Sequence, residues 1–245
     1  MSLVLNSGFT IGPGVVLDAN PTIIPPIVET NLVLHLDAGN PSSYPGSGTT
    51  WTDLVSSKAF TLYNGPTYSS NNGGYLTFDP NNSQYADATS LPSTLSTWTL
   101  EAWFYNNGNY LGQSPCIITD VYNSNPINFT LGNTFDGYPV LQTGFFDGSW
   151  HTTSGSYTLP STGWFHIAGT WDGTDMKMYV NNSLVSTTTP GGTSTSGGQG
   201  IRLMRRWDAP DYLGGRLGSI RIYSSALTAE DVTTNFQAGQ TRFGL

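Results

Sequence analysis

Chemistry in this chain has to come from a few scattered groups. The glutamates are Glu29, Glu101 and Glu230. A retaining glycosidase holds two carboxyls about 5–5.5 Å apart, the spacing of alternate residues on a strand. Glu101 lies in a strand-like run, "TWTLEAWFY", but the alternate positions there are Thr99 and Trp103. No second acid completes the pair. The histidines, His35, His151 and His166, are far apart in sequence, and no Gly-x-Ser-x-Gly turn presents a nucleophile beside them. One cysteine and three dispersed histidines give no zinc spacing. Hydrolysis of glycans is therefore the second reading of this chain, behind a non-enzymatic one.

A different pattern suits recognition. Sugars stack apolar faces on aromatic rings and hydrogen-bond to amides and carboxylates. Tyr110, Tyr122, Trp150, Trp207 and Tyr212 all lie close in sequence to Asn or Asp. Trp207, between Arg206 and Asp208, is the expected platform, with Tyr212, Asp208 and Tyr122 as glycan-binding companions. The only basic cluster is Arg202, Arg205 and Arg206, and it is expected to pair with Asp208 or Asp211.

These residues need a scaffold, and the composition describes one. Among 245 residues there are 29 Gly and 15 Pro, and only 10% are charged, as expected of short strands joined by many turns. A net charge of −8 with eight Lys plus Arg excludes a phosphate-binding stripe, so nucleic acid is not a partner. No stretch reaches the ~20 apolar residues of a membrane span, and the start "MSLVLNSGFT" does not resemble a secretion signal. Alternation marks strands in "NLVLHLDAG", "GYLTF", "TWTLEAWFY", "CIITDVY", "INFTLG", "YPVLQTGFF" and "LGSIRIY". In "WFHIAGTWDGTDMKMYVNNSLV" (164–185), Trp164, His166, Ala168 and Thr170 share one face and Phe165, Ile167 and Trp171 the other. Both faces carry large side chains, so both are partly covered. The one helix signal is "LTAEDVTTNF", with Thr228 as N-cap, Asp231 three residues on, and Val232 and Phe236 four apart. The expected fold is all-β: an antiparallel two-sheet sandwich, a jelly roll, with one short C-terminal helix. Residues 30–245 form that domain. Residues 1–29, apolar and rich in Gly and Pro, with Ile23, Ile24, Ile27 and Val28 poorly suited to water, read as an attachment arm.

The hairpin at 164–185, "GRLGSIRIYSSALTAEDV" and "GGYLTFDPNNSQYADA" together resemble laminin-G-like domains of the concanavalin A-like jelly roll, including the pentraxin-like branch. The likeness runs over about 32–236 in the family's order. Asn182 stands where the family's turn has Gly, and Pro80 where it has Gly after Phe-Asp. By position, the resemblance implies calcium as the candidate metal, held by Asp120, Asn123 and Asn125 from one rim loop and Asp208 and Asp211 from another. The flanks "LVLHLDAGNPSSYPGSGTTWTDL" and "FQAGQTRFGL" are similar to laminin-G-like modules of tailed-phage virion proteins, notably of phages infecting cyanobacteria. That likeness implies a virion structural protein, a capsid or tail fibre or decoration component made in the host cytoplasm. It would self-associate, join other virion proteins through its arm, and adhere weakly to host-surface carbohydrate.

Overall fold

The computed structural model describes residues 26–89, 95–120, 127–132, 140–153, 157–160, 162–194 and 200–245. The strands of the first third are β1 (Leu32–Asp37), β2 (Thr50–Thr52), β3 (Ala59–Tyr63), β4 (Thr67–Ser69), β5 (Tyr75–Phe78) and β6 (Tyr85–Thr89). Next come β7 (Trp98–Leu111), β8 (Cys116–Asp120), β9 (Ile127–Gly132), β10 (Gln142–Phe146) and β11 (Trp150–Thr152). The last are β12 (Gly163–Trp171), β13 (Met176–Val180), β14 (Ser183–Thr188), β15 (Gly200–Leu203) and β16 (Tyr212–Tyr223), then α1 (Ala229–Phe243).

They form two antiparallel sheets. The first runs β14-β13-β12-β7-β16-β5-β4, with β1 on the far end of β16. The second runs β11-β10-β9-β8-β15-β6-β3-β2. The sandwich with a single C-terminal helix is the fold expected from alternation and turn spacing. Leu34, Trp51, Phe60, Phe78, Leu100, Ile117, Phe145, Ile167, Trp171 and Ile222 lie among the side chains of the shared core between the sheets. At about 1.5–3 kcal/mol for each large apolar side chain buried, this layer supplies the main driving force. The sheets approach closely at Gly169, where a Cβ would lie 2.5 Å from Thr143 Oγ1 on the opposite sheet.

The hairpin of β12 and β13 divides its faces as its sequence implies. Phe165, Ile167 and Trp171 enter the core. Trp164, His166 and Ala168 turn outward and are covered by α1. The helix carries the capping box read from sequence: Thr228 Oγ1 accepts from the Asp231 N–H, and the Asp231 carboxylate accepts from the Thr228 N–H. It runs farther than the Val232–Phe236 signal suggested, because Asn235, Gly239 and Phe243 continue one buried stripe. Phe243 stacks on Trp103 at 4.5 Å, and Gly239 lies against the same indole so closely that a Cβ would come within 2.5 Å of it. The turn at Asn181–Asn182 has φ of 47° and 67°, a doubly left-handed turn that Asn tolerates, so Asn182 serves where the family has Gly.

Candidate functional site

The helix seals a charged cluster. On the outer face of the first sheet Glu101 of β7 lies directly across from Arg221 of β16, which in turn faces His35 of β1. Arg221 donates to Glu101 Oε1, His166 Nε2 lies 3.0 Å from the same oxygen, and Asn235 Nδ2 donates to Oε2 at 2.6 Å. Asn235 also donates to the Tyr223 hydroxyl, which donates to the Val28 carbonyl, while the Val28 N–H donates to Asn235 Oδ1. Glu101 is 1% exposed and His166 0%. Burial alone would raise the Glu101 pKa, but Arg221, then His166 and Asn235, outweigh it and hold the carboxyl at about 2. An ionised, sealed carboxylate with every partner a donor cannot reach a substrate. It fixes α1 and the chain at Val28 to the sheet.

The second sheet offers its outer face to solvent. In β3 and β6, Phe60, Leu62, Ala86 and Ala88 point inward, leaving Tyr63, Tyr85 and Asp87 outside. The Tyr63 and Tyr85 rings stack at 4.5 Å and 5° between planes, and Tyr63 remains 40% exposed. Tyr212 completes the row 6.2 Å from Tyr85. The Arg205 guanidinium lies over both rings, 4.9 Å from Tyr85 and 5.3 Å from Tyr212. Arg202 donates to Asp87 Oδ2 at 2.7 Å. The result is a ledge of rings edged by a carboxylate and guanidinium groups, the combination that can stack on a sugar and hydrogen-bond its hydroxyls.

Beside the ledge, Trp207 is laid flat. The loop between β15 and β16 folds back because Arg202 Nη1 donates to the Trp207 carbonyl at 2.8 Å. The indole packs against Cys116 and Phe146 and is only 6% exposed, so it is not the open platform expected from its polar neighbours. It sits 5.1 Å from Trp150, which is 37% exposed. Together with Cys116, Thr130, Gln142 and Thr152 the two indoles line a hollow of about 300 Å³, counting its open mouth. Cys116 is chemically quiet there, since burial pushes its thiol up to about 12.

Of the residues singled out in sequence, Tyr212 joins the ledge and Trp207 the hollow. Asp208 is at the surface, held by Arg206 at 2.7 Å. Tyr122, Asn123 and Asn125 lie outside the described residues. The calcium set is not assembled among the described residues, where no three His, Cys, Asp or Glu side chains converge. Asp211 Oδ2 accepts from the N–H groups of Gln113 and Ser114 and faces Arg206, which also holds Asp208, so a resident cation already neutralises that loop. Asp120 is buried in β8. Among the described residues, Asp120, Asp208 and Asp211 do not by themselves gather into a cation site. Sequence reading missed Tyr63, Tyr85 and Asp87. The signal was the alternation in "AFTLY" and "QYADA", small or apolar residues inward and Tyr or Asp outward.

Residues 79–233 match the family profile described as Concanavalin A-like lectin/glucanases superfamily. No curated protein matches the chain. Among solved structures it is similar to domain 4 of AbnA, an extracellular arabinanase from Geobacillus stearothermophilus, in complex with arabinotriose. The TM-score is 0.67 at 17% identity, over 86% of this chain and 100% of that domain. It is similar to Trypanosoma rangeli sialidase, TM-score 0.61 and 14% identity, over 90% of this chain and 36% of that one. The binding domain of botulinum neurotoxin DC in complex with SialylT gives a TM-score of 0.64 at 15% identity, over 86% and 52% of the two chains. At these identities the likeness is one of fold, and the chain spans about a third of the sialidase and half of the toxin fragment.

Proposed function

The chain belongs to the concanavalin A-like lectin/glucanases superfamily, and from that footing we propose that it is a non-enzymatic glycan-recognition module. The tyrosine ledge on the outer face of the second sheet is the observation that carries this reading. Tyr63 lies face to face on Tyr85 and stays 40% exposed, and with Tyr212, a carboxylate and arginines alongside, the row offers a sugar chain both an apolar ring and hydrogen-bonding groups. Two similar folds are described in complex with saccharide-type ligands, arabinotriose and SialylT, which supports the class of ligand and not its identity. A hydrolase remains the alternative because a sialidase shares the fold. Against it, the one glutamate on a core strand, Glu101, is sealed beneath α1.

We further propose that the module is a structural component of a phage virion, a fibre or decoration protein of capsid or tail. Residues 1–29 would form the arm that docks on other virion proteins, with Val28 at its base held to the chain's own α1 and first sheet. The flanking-sequence likeness described above supports this, as does the way Val28 is hydrogen-bonded under α1, which gives the preceding segment a rigid point of departure. A shallow site with a millimolar constant is worth about −4 kcal/mol, and display in many copies multiplies avidity by about 10²–10⁴. Weak single-site binding would therefore suffice for adhesion to a host surface.

Retention of the chain on a panel of bacterial and algal polysaccharides, with reducing ends counted in the same samples, tests the first proposal. Binding without new ends is expected, whereas steady release of product would establish the hydrolase. For the second, particles assembled with a chain lacking residues 1–25 are expected to lose the protein, and undiminished incorporation would refute the arm.

A further inference from the structure

Four arginines each hold a carboxylate: Arg202 with Asp87, Arg206 with Asp208 and Asp211, Arg221 with Glu101, and Arg242 with Asp37. Arg205 does not. Sequence suggested that the 205–206 pair would be satisfied by Asp208 and Asp211, and this holds for Arg206 only. The Arg205 Nε donates to the Ala209 carbonyl at 3.3 Å, which fixes the plane of the guanidinium. Its flat face is supported by Tyr85 and Tyr212. Among the described residues its two terminal nitrogens have no acidic partner, in a chain of net charge −8 where such partners are plentiful.

We propose that Arg205 is the anion-reading group of the ledge, and that the glycan it takes is acidic, bearing a carboxylate or sulfate on a sugar of the chain that lies along the row of Tyr63, Tyr85 and Tyr212. This rests on the glycan-recognition reading above and narrows it to a ligand class. Three features favour it. A guanidinium held in plane by rings and a backbone carbonyl keeps two parallel N–H groups for a planar anion, and loses little freedom on binding. The neighbouring cation, Arg202, is already neutralised by Asp87, so the uncompensated charge is local to Arg205. Tyr85 remains a neutral hydroxyl: burial raises its pKa, outweighing the lowering by Arg205 and Arg202, so it adds no negative charge to repel the ligand.

The test uses the full chain and matched probes, oligogalacturonate and its methyl ester together with sulfated and desulfated galactan oligosaccharides. Titration calorimetry would follow each pair for the wild type, Arg205→Gln and Arg205→Lys, with melting curves confirming that each variant folds. Expected is at least about tenfold preference for one acidic member over its neutral twin, lost in Arg205→Gln and partly kept in Arg205→Lys, and weakened by added salt. Equal binding of acidic and neutral members, or a preference unchanged in Arg205→Gln, would overturn the acidic-ligand inference while leaving glycan recognition standing. Silence with every acidic and neutral probe would overturn both.

Discussion

Glu101→Gln is expected to lower unfolding stability by about 3–5 kcal/mol, the largest single effect in this protein. The reason is asymmetric. Removing one member of a buried ion pair leaves the other charge uncompensated, and here the orphan would be Arg221, which is 6% exposed and faces His35 on its other side. Asn235 would also lose one of its two acceptors, loosening α1. In a chain of this size the loss corresponds to a fall in Tm of roughly 10 °C or more, and denaturant melts would measure it directly. A variant as stable as wild type but devoid of a hydrolytic activity would make Glu101 catalytic instead. The same cluster sets acid sensitivity. Glu101 is held at about 2 when folded, below its unfolded value, so its contribution is present above about pH 4.5 and is lost as pH falls towards 2. Burial, and then the Arg221 cation, lower His35 from 6.5 to about 4, so the unfolded chain takes up a proton first and stability also declines between pH 6.5 and 4. His35→Leu should flatten that upper window and leave the lower one.

Tyr85→Ala is expected to weaken glycan binding by at least about tenfold, enough to erase detectable binding if the wild type is millimolar. Tyr85 is the middle ring of the row: Tyr63 stacks on one side, Tyr212 stands on the other, and the guanidinium of Arg205 rests on it. Its removal disrupts every element of the ledge while leaving the core, into which Ala86 and Leu62 point, unchanged. Tyr63→Ala, which strips the more exposed ring, should cost a similar factor. Both variants should melt within a few degrees of wild type. If both bind as well as wild type, the ledge is not the site, and the hollow of Trp150 and Trp207 becomes the place to look.

The sandwich was legible because a two-residue period leaves a mark wherever one face is buried. The helix was legible through its capping box, although its second half was not. Asn235 and Gly239 carry no apolar signal, and their burial comes from a carboxylate and an indole that the sequence does not place there. The site was read less well, for a related reason. Trp207 sits among polar neighbours and reads as exposed, yet its position is decided by Arg202, which pulls the Trp207 carbonyl onto the sheet. Strands as short as β3 and β6 alternate over only five residues each, too brief a signal to stand out, so the outward Tyr63 and Tyr85 passed unnoticed. Their proximity depends on a pairing of β3 with β6 that sequence spacing does not encode. Glu101 was set aside for want of a partner acid, and the structure supplies the positive account: it is a clamp.

Chemical-shift mapping during titration with an oligosaccharide that the chain retains would locate the contact residue by residue. The account predicts perturbations centred on Tyr63, Tyr85, Arg205 and Tyr212, with the signals of Glu101, His166 and Asn235 unmoved. Shifts concentrated around Glu101 and His166, or anywhere on the first sheet's outer face, would contradict it.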